Sequence, residues 1–200
     1  MFRSLHMKLM LIMTLLIILL MTVVGAFLIN SVSNYYTQDF YAQMSEAFQD
    51  QDFWSDLNTP VQGEEDSVSN IVQILDNYYS VLGVDNRSRK YYVLDGNDGR
   101  LLACSNKQES GTQLDMDSSN LMQVLAGADK SDNSDPTSSY MDVAVAVQRG
   151  ANRYIIYVRD DGTNAAALNS ELMTLIVEAL VFGLIISVLL SFLLARTVIT

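Results

Sequence analysis

Apolar residues are unevenly spread along the chain. Met10 through Ile29 holds no charge, and from Met173 to Ala195 the only charge is Glu178. The first run, Leu9–Ile29, would reach about 31 Å as a helix, enough for the hydrocarbon core of a bilayer. The second, from about Leu172 to Ala195, is long enough to cross again. Sliding it so that Glu178 meets the outer headgroups avoids most of the cost of an acid at the bilayer centre, on the order of 3 kcal/mol. The alternative is a functional intramembrane acid. Arg3 and Lys8 precede the first run and no basic residue follows it until Arg87, which predicts a cytoplasmic N-terminus. A basic start, an apolar run and Val24-Gly25-Ala26 also fit a cleavable signal peptide. The run is longer than such a peptide's core, which favours an uncleaved span.

Between the runs the pattern becomes amphipathic. Tyr36, Phe40, Met44 and Phe48 recur every four residues, with Tyr41 and Ala47 beside them. The first helix is therefore expected to continue past Ile29, burying this stripe against its own domain or a second copy of the chain. "LNTPVQGEEDS" breaks the pattern as a loop. A second helix then carries Val68, Ile71, Val72, Leu75, Tyr78 and Tyr79, with Ser67 as its expected cap. "KYYVLDGNDGRLLACSN" reads as two strands around the turn Asp95–Gly99. Gly111 falls in a polar loop, and Ser118–Ala128 is a short capped helix ending near Gly127. "DKSDNSDPTSS" is polar and expected to be exposed. In "YMDVAVAVQ", Val143, Val145 and Val147 should share one face and Ala144 and Ala146 the other, where a helix can approach closely. Arg149–Asn152 forms a turn into "RYIIYVRDDG". The fold class is α+β, an antiparallel sheet with helices packed on it. The expected organisation is a cytoplasmic tail (1–8), a transmembrane helix (9–29), an extracytoplasmic domain with a long N-terminal helix (30–170), a second transmembrane helix (171–195) and a final stub (196–200).

Charge sharpens the picture. Residues 31–170 hold 21 of the 23 acidic residues but nine of the 12 basic ones, a net charge of about −12. Such a surface argues against nucleic acid as a partner. Cys104 is the sole cysteine, so no intrachain disulfide forms. His6 is the sole histidine and lies in the predicted cytoplasmic tail, so no Cys-His or Ser-His-Asp set is expected in one chain. Zinc is unfavoured for the same reason. The acids at 129, 132 and 135 lack the spacing of a calcium loop. Asn86-Arg-Ser88 matches a glycosylation sequon of a kind that arises by chance. Tyr91, Tyr92, Tyr140 and Tyr154 are candidates for lining a small-molecule pocket, with plain core as the alternative. No catalytic or metal residue is assigned, and ligand-binding residues are unknown.

The beginning, "FRSLHMKLMLIMTLLIILL", resembles the start of the first span of bacterial membrane-bound sensor histidine kinases. "YYVLDGNDGRLLACSN", Gly111, "YMDVAVAVQ" and "RYIIYVRDD" are similar to the core of their extracytoplasmic PAS-like (Cache-type) sensor domain. The terminal "LLARTVIT" resembles a second span running into a HAMP linker at 196–200. The resemblance implies the input module of a two-component phosphorelay receptor in the cell membrane, with both termini cytoplasmic. It further implies a homodimer in contact with lipid, a response regulator as downstream partner and an unidentified external stimulus. The histidine-phosphorylating domain, with its ATP and Mg, would lie beyond Thr200, and no cofactor is expected within the chain. A chemoreceptor, a membrane-bound cyclase and a stand-alone two-span adaptor share the same layout.

Overall fold

The computed structural model describes residues 5–61, 63–106, 117–135 and 138–198. The expected loop around Gly111 lies outside them. The elements are α1 (Leu5–Gln49), α2 (Gln51–Asn58), α3 (Glu64–Asn77), β1 (Arg89–Asp95), β2 (Leu101–Cys104), α4 (Ser119–Leu125), β3 (Lys130–Ser131), β4 (Met141–Arg149), β5 (Asn152–Asp160) and α5 (Thr163–Val198). The chain forms two compact units, one from the residues up to Tyr35 with those from Ala165 onward, the other from Tyr36 to Asn164.

The first unit contains the apolar lengths of α1 and α5. Both are long and apolar enough to cross a membrane, and only 6% of either apolar window is buried, which sets them apart from core helices of a water-soluble fold. Small residues let the two helices approach. A Cβ on Gly25 would come within 3.2 Å of Ile176, and one on Gly183 within 3.6 Å of Ile17. Asn169 donates to the Ser33 hydroxyl at 3.0 Å, an interhelical hydrogen bond. Glu178 lies on the exposed side of α5.

The second unit is an α+β domain around a five-stranded antiparallel sheet of order β2-β1-β5-β4-β3. The first and last long strands are neighbours at its centre. One face buries the α1 stripe: Phe40, Met44, Ala47 and Phe48 pack with Phe53 and Leu57 of α2, Ile71 and Leu75 of α3, and Val143, Val145 and Val147. The stripe thus buries itself in its own domain. The opposite face presents Ala144 beside Leu121 and Val124 of α4, with Ala146 at its margin. The valine–alanine alternation of β4 separates the faces as its spacing requires, and the small side is where α4 sits.

Two local expectations are corrected. Ser67 does not cap α3. That helix begins three residues earlier after Gly63, whose φ of 93° suits glycine, and the Ser67 hydroxyl instead donates to the Gly63 carbonyl at 2.8 Å. α2 was not anticipated. Asp50 starts it by accepting from the Phe53 N–H at 2.8 Å, and Thr59, held extended before Pro60, ends it.

Arginines fasten the helices to the far end of the sheet. Arg149, 3% exposed at the end of β4, donates from Nε to the Leu57 carbonyl (2.6 Å), from Nη2 to the Asp56 carbonyl (3.0 Å) and from Nη1 to Asn70 (2.8 Å). It thereby satisfies the last carbonyls of α2 and holds α3. Across the β4–β5 turn, Arg153 donates to the carbonyls of Val124 (2.8 Å) and Ala128 (2.9 Å), closing α4 on the other face. Replacing Arg149 with methionine keeps most of the volume but strands those carbonyls. The expected loss is about 3 kcal/mol, read by denaturant unfolding followed at Trp54, the only tryptophan.

Candidate functional site

Two buried polar clusters stand out in the domain. The first lies where β1 begins and β5 ends, beside α1 and the start of α5. Arg89 opens β1 and Asp160 closes β5, so antiparallel pairing puts them opposite each other. Arg89 Nε donates to Asp160 Oδ2 at 3.0 Å with both side chains buried. Its Nη1 donates to Gln43 of α1 at 2.6 Å and to the Leu82 carbonyl at 3.1 Å. The guanidinium also lies over the Phe40 ring, 4.8 Å from its centroid. Gly83, with φ of 62°, leaves the room this needs: a Cβ there would overlap Arg89 Nη1. The other Asp160 oxygen accepts from the Gly162 N–H at 2.9 Å, just before α5. Gln43, Arg89, Asp160 and Gly162 therefore form one hydrogen-bonded chain from α1 through the central strand pair to the start of α5.

A second layer covers this chain. Asn164, in the first turn of α5, donates to Ser88 at 2.7 Å and to Asp85 at 3.0 Å. Burial alone would raise the Asp85 carboxyl. The backbone N–H groups of Arg89 and Arg87, then Asn164 and Ser88, outweigh that and hold it at about 2. The Asn86-Arg-Ser88 sequon falls in this turn, with its serine hydroxyl already engaged and Asn86 at φ 58°.

The second cluster lies under α4. Ser118 caps α4 by accepting from the Leu121 N–H at 3.0 Å and donates its own proton to Asp142. Asn120 donates to Asp142 Oδ1 at 2.9 Å and accepts from Ser131 at 2.8 Å and the Asn133 N–H at 2.9 Å. The Tyr157 hydroxyl is buried beside Ser118 and Asp142. Burial, reinforced by the Asp142 charge, raises its pKa.

The sequence candidates do not converge on either cluster. Tyr91 and Tyr154 point into the helix-covered face, where the Tyr91 hydroxyl donates to Asp76 at 2.6 Å. Tyr92 points to the α4 face, its ring 6.0 Å from that of Tyr157. Tyr140 stacks under Arg159, 3.9 Å from guanidinium carbon to ring centroid. The four tyrosines thus line no common pocket. Cys104 is buried, its thiol 2.9 Å from the Asn106 carbonyl. Asp132 pairs with Lys130 at 2.8 Å, and no metal-binding group of His, Cys, Asp or Glu forms among the described residues. Arg89, Asp160, Asp85 and Asp142 carried no motif. For Arg89, Asp160 and Asp142 the only signal was position, a charged residue near the end of a strand with an apolar middle, and Asp85 in the turn before β1 had none.

Compared with protein-family models, with curated proteins and with solved structures, the chain has no match.

Because the folded pKa of Asp85 is depressed from 3.8 to about 2, its contribution is complete above the unfolded value and disappears as pH falls toward the folded one. The difference in melting temperature between the parent and Asp85→Asn should therefore be constant above about pH 5 and shrink as the pH is lowered toward about 2. A difference that persists unchanged at the acid end would remove the carboxylate from this role.

Proposed function

We propose that the chain is the input module of a bacterial membrane receptor of the sensor histidine kinase type, with a PAS-like (Cache-type) domain outside the membrane and both termini in the cytoplasm. One observation carries the reading: a continuous hydrogen-bonded chain, Gln43–Arg89–Asp160–Gly162, ties α1 to the start of α5 through the two central strands. The helices so tied are those long and apolar enough to span a membrane. An anchoring domain needs no such link, whereas a transmitting one does. Binding of a stimulus to one of two domain conformations shifts their populations, and the start of α5 moves relative to α1 as Arg89 exchanges partners. The shift can be no larger than the stimulus's differential affinity for the two states. Phosphoryl transfer, with its ATP and Mg, would belong to a separate output module acting on a response regulator, and a homodimer would carry the motion across the bilayer.

Two measurements test this. In intact cells, Asp98→Cys in a Cys104→Ala background should react with a membrane-impermeant maleimide. Reaction only after lysis would place the domain inside and end the reading. Joined in frame to a foreign HAMP–kinase output, Arg89→Met should lock autophosphorylation at one level irrespective of stimulus. An output that still follows the stimulus would show that Arg89 is not the link.

A further inference from the structure

β2 is an edge strand of the sheet, and α3 packs against it and β1. At this edge lies a cleft of about 490 Å³, lined by Glu65, Val68 and Ser69 of α3 and by Arg100 and Leu102 at β2. The spacing explains the lining. Residues 65, 68 and 69 share one face of the first two turns of α3, and 100 and 102 share one side of an extended segment. Val68 and Leu102 also pack against the main core, so the cleft has an aliphatic floor fixed by the fold. Its size falls in the range of small-molecule sites.

Its charges restrict what can occupy it. Glu65 and Arg100 line the same concavity but form no ion pair with each other, and neither side chain hydrogen-bonds another among the described residues. A simple anion would meet Arg100 but be repelled by Glu65 and by the acidic surface of residues 31–170. A simple cation would be drawn by the acidic surface and by Glu65, but inside the cleft it would leave Arg100 unpaired and be repelled by it. A molecule carrying both charges a few bonds apart satisfies both groups, and the repulsion becomes discrimination against its singly charged relatives. We infer that this cleft binds a small zwitterion with an aliphatic portion, an α-amino acid in chemical class. Its carboxylate faces Arg100, its ammonium faces Glu65, and its side chain rests on Val68 and Leu102. The inference does not depend on the receptor reading, because it concerns the domain surface alone.

The test uses the full chain in lipid nanodiscs, with equilibrium dialysis against each of the standard amino acids and L-leucine as the lead probe. Saturable binding of leucine is expected. N-acetylleucine, which lacks the ammonium, and leucinamide, which lacks the carboxylate, should each bind at least about tenfold more weakly. Glu65→Gln and Arg100→Gln should each weaken leucine by a similar factor, while Arg87→Gln, outside the cleft, leaves it unchanged. Both cleft residues are exposed, so the variants should melt with the parent, which separates lost binding from lost folding. No saturable binding of any standard amino acid up to about 10 mM overturns the inference. So does leucine binding that ignores both cleft substitutions, or acetylated and amidated leucine binding as well as leucine itself.

Discussion

A guanidinium cannot leave water without partners, and the burial of Arg89 organises the domain around that requirement. The group sits at 6% exposure and its neighbours come from three parts of the chain: Gln43 and Phe40 of α1, the Leu82 carbonyl, and Asp160 of β5. Removing one partner of such a set is strongly destabilising, because the remaining charge stays buried. The positions of α1, the 82–89 turn and the end of β5 are therefore mutually dependent. Arg149 plays the corresponding part at the other end of β4, with carbonyls in place of a carboxylate. The sheet is thus pinned at both ends by buried cations, while its middle is held by apolar packing.

How much of this was legible in the chain depended on range. Periodicities closed within a few residues were readable. The four-residue stripe of Phe40, Met44 and Phe48 gave a helix running past the apolar span, the turn Asp95–Gly99 gave β1 and β2, and the valine–alanine alternation of β4 gave the two faces of the sheet. Short elements were not. β3 is two residues in a polar segment, held by pairing with Val145 and Ala144, so its cause lies elsewhere in the chain. α2 was hidden because Asp50, the cap that separates it from α1, sits among Gln and Asp residues that look like helix surface. Ser67 looked like a cap because a serine stood before an apolar run, yet α3 had already begun at Glu64 after a glycine. The polar clusters were least legible. Arg89 meets Asp160 across 71 positions and Arg149 meets Leu57 across 92, distances over which no spacing rule operates.

The two faces of the sheet differ in how readily they can change. The helix-covered face is interlocked from large aromatic and branched side chains, a packing that resists small displacements. Under α4 the contacts are alanines, hydrogen-bonded polar groups and the Tyr157 hydroxyl beside Ser118 and Asp142. That makes the α4 side the softer of the two. Tyr157 is also three residues from Asp160 on the same strand, within the central pair that carries the Arg89 link. On the receptor reading, a disturbance under α4 that turns Tyr157 pulls on the strand ending at Asp160, and the rigid opposite face gives α1 a fixed reference for that movement. Contiguity of this kind becomes coupling only if the path has two stable arrangements. On the receptor reading that second arrangement lies at Arg89, whose donors are divided among Asp160, Gln43 and the Leu82 carbonyl.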